Sequence, residues 1–436
     1  MIRRNRPVGS VLLALIVGGA LSPGYAQQIE ASLPQSDGKI RMGVASCASG
    51  VCHGSVRPRT NTSVLQNEYV IWSKMDRHRI AYQTLLTNES KEIANKLGLD
   101  SAHEARICLD CHSDNVPELN RGEKFLLSDG VGCEACHGGA ENYLSAHSDS
   151  QVSRTEKLKA GLYPTDQPVA RAQLCLSCHM GTVEKMATHD IMGAGHPRLS
   201  FELDTFNVLQ PKHYTVDEEY KAAKWHGDGL SVWAIGQIES ARQSLRLIST
   251  RLETAGMFPE LALFDCQSCH HPMSERRWKR LTRIDLPPGS VRLNDAHLVM
   301  LLAIAKVVNP SVEQRLRTEL RGLHGAVATA GNLSGRIAAL MDAIEQLREQ
   351  SISLTRDDAR RLLDEIIVYS SSGVVIDYNV AEQAVMAVDM LLSAIDMRAV
   401  KQRWLDRVYS TVDDEDRFNP DDFAAVMTTF DQGTSG

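Results

Sequence analysis

The chain has 436 residues, 43% of them hydrophobic, enough for two or three domains with buried cores. Its formal charge is −7, and removing residues 1–26, which hold three arginines and no acid, moves it to −10. That surface lacks the basic footprint phosphate binding needs, so no nucleic acid partner is expected, while basic protein partners suit it.

Residues 1–26 read as a secretory signal. Arg3, Arg4 and Arg6 precede the apolar run VLLALIVGGA, and Pro23 with Gly24-Tyr25-Ala26 makes a cleavage site. The apolar run is interrupted by Gly18 and Gly19 and is shorter than the roughly 20 residues a spanning helix needs. The mature chain is expected to start near Gln27, to lie in the periplasm or elsewhere outside the cytoplasm, and to hold no integral membrane segment. Residues 27–40 read as a polar leader.

From Arg41 to about Tyr214 the chain is broken by Gly, Pro and short polar stretches, with too little apolar periodicity for an ordinary core. Four cysteine pairs fall here, each followed at once by histidine: Cys47, Cys52 and His53; Cys108, Cys111 and His112; Cys133, Cys136 and His137; Cys175, Cys178 and His179. Beyond Pro211 the pattern changes. Leu230, Trp233, Ile235, Ile238, Ala241, Leu245, Ile248 and Leu252 recur every three or four residues, which predicts one long amphipathic helix ending near Gly256. A fifth pair follows, Cys266 and Cys269 with His270.

From about Leu293 the chain reads as a helical bundle. Ser311 with Gln314 and Asn379 with Glu382 have capping-box spacing, and Ile337, Leu340, Met341, Ile344 and Leu347 form an apolar face. Pro310, Gly331-Asn332 and the serines at 370–372 break the segments. The acidic run 413–422 lacks the glycine and spacing of a calcium loop and reads as solvated surface, and the last six residues read as disordered. The bundle either covers the preceding domain or docks a partner.

All ten cysteines are used in these five pairs. In an exported protein an even cysteine count first suggests disulfides, and isolated pairs would suit zinc or a redox-active CxxC. Neither zinc nor redox chemistry requires histidine at the same offset five times. CxxCH is the attachment signature of c-type haem: the two sulfurs reach the two vinyl groups of one porphyrin, and the next histidine meets the iron. Five haem c groups per chain are therefore expected, the first on a pair with two extra residues, so that Cys47 bulges outward.

Five irons held this way want up to five further axial ligands, and ten of the 15 histidines remain. A distal ligand must come from a separate segment crossing the ring, which excludes His271 for the fifth iron and Met180 for the fourth. His297 and His324 lie in the helical tail and read as surface or packing residues. His78, His147, His189 and His196 are the better candidates, with His213 and His103 competing for the fifth place.

The run ICLDCH, DGVGCEACHGGAE, LCLSCH and HDIMGAGHPRLSFEL resembles the multihaem c-type cytochrome family typified by the tetrahaem cytochrome that accepts electrons from hydroxylamine oxidoreductase. The likeness covers about residues 41–290. It implies a helical, loop-rich domain of stacked haems that passes electrons between protein redox partners. The chain departs from that family in having five motifs and a further tail.

The expected fold is therefore mainly α: a loop-rich multihaem cytochrome c domain over residues 41–290, then a helical domain over 291–436. The leading functional expectation is an electron relay through closely spaced, mostly bis-histidine haems. A second is a reductase or oxidase acting on a small nitrogen or sulfur compound at a five-coordinate haem. A third is a self-associating subunit of a haem filament or respiratory complex.

Overall fold

A computed structural model describes residues 32–60, 64–253, 259–271, 284–287, 289–329, 331–351, 353–372, 375 and 377–430. The signal at 1–26, the first residues of the leader, the predicted helix end near Gly256 and the last six residues lie outside them. Among the described residues the chain is mainly helical, as expected, with isolated bridges pairing Arg41 with Arg121 and Phe264 with Leu293. No helix among them is long and apolar enough to cross a membrane.

The helices up to Ala223 are short, mostly four to nine residues, with 12 in Pro168–His179. The apolar clusters of this half are correspondingly small. One joins Leu85, Ala94, Ala102 and Leu109, and another joins Ala172, Leu176, Phe201, Leu203 and Val232. The leader is tied down from Leu33 onward: the guanidinium of Arg41, fully buried, donates to Asp114, to Asp37 and to the carbonyl of Pro34.

The predicted long helix is present as Gly229–Glu253. One face, including Trp233, Ile238, Ala241, Leu245 and Ile248, enters a large core with the helices Ala296–Val308, Pro310–Thr329, Leu333–Ser351, Arg356–Ser371 and Tyr378–Ala394. Val232, on another face, packs with Leu176 and Phe201 of the preceding half. This core also takes in Leu263 and Phe264, just before the fifth cysteine pair, so apolar packing crosses residue 290 and seats that pair on the C-terminal helices. Gln267, between its two cysteines, reinforces the seat by donating to the carbonyl of Glu415 and accepting from the backbone of Tyr378.

The predicted apolar face at 337–347 is buried, with Met341 at its margin. The two capping boxes are not formed as predicted. Asn309 caps the helix that begins at Pro310, taking the Val312 N–H at 3.4 Å, and Asp377 caps the one that begins at Tyr378. Asn379 and Glu382 are instead engaged by Arg198. True capping boxes stand at Ser153 with Glu156 and Thr355 with Asp358.

Of the two readings for His324, packing holds. The residue is 2% exposed, and its Nε2 lies 3.0 Å from Asp295. His297 is enclosed too, its Nδ1 donating to Gln237 at 2.8 Å, while Gln237 donates to Gln383 and Gln383 to the carbonyl of Phe201. Burial pushes His297 down to about 4 from its ordinary 6.5. Between those values the unfolded chain takes up a proton that the folded chain refuses, so stability falls as pH is lowered through that window. The full effect is about 3 kcal/mol. Urea midpoints should therefore drop between about pH 7 and about pH 5 in the native protein, with a smaller drop after His297→Gln. Equal drops in both proteins would contradict the assignment.

Candidate haem-binding centres

Five histidine pairs organise the site. His53 faces His147 with ring centroids 6.1 Å apart, His112 faces His196 at 6.2 Å, and His137 faces His213 at 6.3 Å. His179 faces His78 at 6.0 Å, and His270 faces His189 at 6.3 Å. In every pair one member directly follows a cysteine pair and the other comes from a distant segment. His103 lies edge-on to Tyr82 at 6.4 Å, and each motif histidine already has another partner.

The spacing has a chemical meaning. An imidazole nitrogen sits about 2.0–2.1 Å from a bound metal, and the ring centre about 1.1 Å beyond it, so two imidazoles on opposite faces of one metal have centres about 6.3 Å apart. The observed pairs fall at that distance. At that separation the rings are too far apart to hydrogen-bond to each other.

Local structure explains how each histidine is presented. The second, third and fourth cysteine pairs lie in helical turns, Arg106–His112, Cys133–His137 and Pro168–His179, which put both sulfurs and the histidine on one side. Gly138 ends the third turn at φ +82°, where a Cβ would collide with the carbonyl of Gly161. The first pair, with its two extra residues, sits in a turn where His53 donates its backbone N–H to the carbonyl of Cys47 at 3.2 Å.

Oxygen acceptors orient several rings from behind. Nδ1 of His53 lies 2.9 Å from Glu68, that of His78 2.9 Å from Asp76, and that of His112 3.0 Å from the Ala81 carbonyl. Nδ1 of His147 lies 3.1 Å from the carbonyl of Tyr143, and that of His196 2.8 Å from its neighbour Pro197. An Nδ1 held as a donor leaves Nε2 as the free lone pair, the arrangement typical of metal-binding histidine. Burial, with His213 adding to it, pushes His137 down to about 3, so its imidazole is neutral and able to donate to a metal.

Carboxylates that sequence reasoning missed hold the centres together. Glu134, between the cysteines of the third pair, accepts the backbone N–H groups of Met42, Gly43 and Ala140 at 2.7–2.8 Å. It thereby fixes the segment leading to the first pair against the third. Asp76 carries His78, and although burial works against it, hydrogen bonds from His78 bring its carboxyl down to about 2. Nothing local in the sequence marks these acids, because their partners are remote.

The first four cysteine pairs, with His53, His78, His103, His112, His137, His147, His179, His196 and His213, line one continuous cavity of about 3190 Å³. Ligand pockets usually measure about 300–1,000 Å³, so this one has room for several large planar groups. The cysteines are all free. Among the described residues no three His, Cys, Asp or Glu side chains converge as a bare metal site would require. The donor set fits covalently anchored haem: two sulfurs beside one imidazole, a second imidazole opposite, and apolar space between.

Residues 46–138, which carry the first three cysteine pairs, match the family model described as cytochrome c554 and c-prime. The chain is similar to the multihaem c-type cytochromes. Over 114 residues it is 29% identical to cytochrome c-554 of Nitrosomonas europaea, an alignment covering 24% of this chain and 48% of that protein. The chain thus spans about half the length of the curated relative it matches. No solved structure matches significantly. The matched region is narrower than the 41–290 suggested by the motifs, and the fourth and fifth pairs and the C-terminal helices lie beyond the family match.

Proposed function

We propose that the chain is an exported five-haem c-type cytochrome that carries electrons between redox partner proteins. The observation that carries this reading is the set of five histidine pairs at 6.0–6.3 Å, one beside each cysteine pair. Covalently held, six-coordinate haem supplies one-electron redox chemistry with little rearrangement between ferric and ferrous iron. The protein's part is to anchor each ring through Cys47 and Cys52, Cys108 and Cys111, Cys133 and Cys136, Cys175 and Cys178, and Cys266 and Cys269. His53, His112, His137, His179 and His270 serve as proximal ligands, and His147, His196, His213, His78 and His189 respectively as distal ones.

Close spacing favours a relay. Cys47 and Cys133 lie near enough for each to shift the other's thiol, as do Cys111 and Cys178. The first centre therefore adjoins the third and the second adjoins the fourth. No motif histidine lacks a facing histidine, which favours electron transfer over catalysis at a five-coordinate iron. The charge of −10 after loss of residues 1–26 suits partners with basic docking faces.

Intact mass and haem absorbance per chain test this reading together. A mature chain starting near Gln27 with the mass of five covalent haems is expected; fewer haems, or a colourless protein, would refute it. Electron paramagnetic resonance adds a finer check. Imidazole planes are near perpendicular in three pairs, at 84–88°, and closer to parallel in two, at 18° and 36°. Perpendicular planes leave two iron d orbitals nearly equal in energy and give very anisotropic low-spin signals, whereas parallel planes split them. Three signals of the first kind and two of the second are expected.

A further inference from the structure

We propose that Arg198 is the positioning residue for His196, and that the C-terminal helices, acting through it, keep the second centre six-coordinate. The inference rests on the five-haem reading and adds a role for the helical tail.

His196 is presented by weak local structure. The helix His189–Gly193 ends before it, and residues 196–200 form no helix or strand. Its own backbone N–H makes only a 3.2 Å bond to the carbonyl of Ile191. A segment of this kind keeps a ring in register only if side chains pin it from outside. Two residues after His196, Arg198 supplies the pin.

Each nitrogen of the Arg198 guanidinium donates one hydrogen bond, and every partner lies in the C-terminal region. Nε donates to Glu415 at 2.8 Å, Nη1 to Asn379 at 2.9 Å and Nη2 to Glu382 at 3.1 Å. Its plane also covers the ring of Tyr378 at 5.1 Å. Ser200 donates to the same Glu382 oxygen at 2.6 Å, so one carboxylate holds the segment at two points. The side chain is 21% exposed and faces two carboxylates, so the fork geometry and the charge both favour one position. Asn379 and Glu382 open the helix Tyr378–Ala394, which is buried along most of its length. The pin is therefore set in a rigid element.

The consequence is specific. If the pin is lost, His196 gains freedom relative to His112, and the second iron alone loses its sixth ligand for part of the time. A clamp that merely joined two halves of the fold would lower stability without choosing one iron.

Holoprotein of Arg198→Ala, of Arg198→Lys and of the double variant Glu382→Gln with Glu415→Gln should be compared with the native protein by haem count, circular dichroism and electron paramagnetic resonance. With the haem count and helix content unchanged, about one low-spin iron in five should turn high-spin in Arg198→Ala and in the double variant. That iron should bind carbon monoxide once reduced. Arg198→Lys, which keeps the charge but loses the fork, should recover part of the low-spin signal. Five unchanged low-spin signals in folded Arg198→Ala and in the double variant would overturn the proposal. So would haem loss or unfolding in both, which would mark the clamp as structural. A native haem count below five would instead refute the five-haem reading itself.

Discussion

Made without haem attachment, with the motif cysteines changed to serine or in a host without cytochrome c maturation, the chain should lose amide protection over residues 41–214 and keep it over 230–427. The two halves differ in what fills them. The C-terminal half has a continuous apolar core running from Leu230 to Met427. The first half has only the small clusters around Leu109 and Leu176, set about a cavity of about 3190 Å³. Without an occupant, water fills this space and wets apolar walls such as Trp72, Leu85 and Leu109. On the five-haem reading, the porphyrins are the missing core of that half. Hydrogen exchange read by mass spectrometry on the haem-free chain checks this, and even protection across both halves would contradict it.

What could be read from the sequence follows the range of the forces involved. The cysteine pairs and their adjacent histidines stand out in the sequence because their spacing is fixed and local. The helix Gly229–Glu253 was legible because its buried face repeats with the helical period. The histidines that face those of the motifs were only partly so. Composition narrowed the candidates, but the arrangement of His213 opposite His137 depends on how the segment from Gln210 to Tyr214 crosses the third centre, and no local pattern encodes that.

The supporting polar residues were not legible at all. Arg41 reaches Asp114 across 73 positions, Glu134 reaches Met42 across 92, and Arg198 reaches Glu415 across 217. The misplaced capping box at Asn379 and Glu382 has the same cause: a correct local spacing was overridden by a distant guanidinium. The acidic run at 413–422 was read as solvated surface, yet Glu415 holds Arg198 and Phe418 is buried.

His213→Ala should have the largest effect of any single distal substitution, and His103→Ala should have none on the irons. His213 is the ring opposite His137, which is the most enclosed of the motif histidines and is pushed down to about 3 by burial and by His213 itself. Removing His213 takes away the imidazole that faces His137, while His147 and His196 already face His53 and His112. Loss of that donor favours ferrous over ferric iron. The potential of the third centre should rise by on the order of 0.1 V within the range of about 0.8 V that axial ligands command. For a one-electron couple about 59 mV is a tenfold change in equilibrium, so the third centre would trap electrons arriving from the first, its neighbour through Cys47 and Cys133. Potentiometric titration with electron paramagnetic resonance should show one high-spin, carbon monoxide-binding iron at raised potential in His213→Ala. The spectrum of His103→Ala should match the native protein, because that ring packs on Tyr82. The reverse pattern would show that the two histidines compete as the sequence alone allows and that the pairing at 6.3 Å does not mark the ligand.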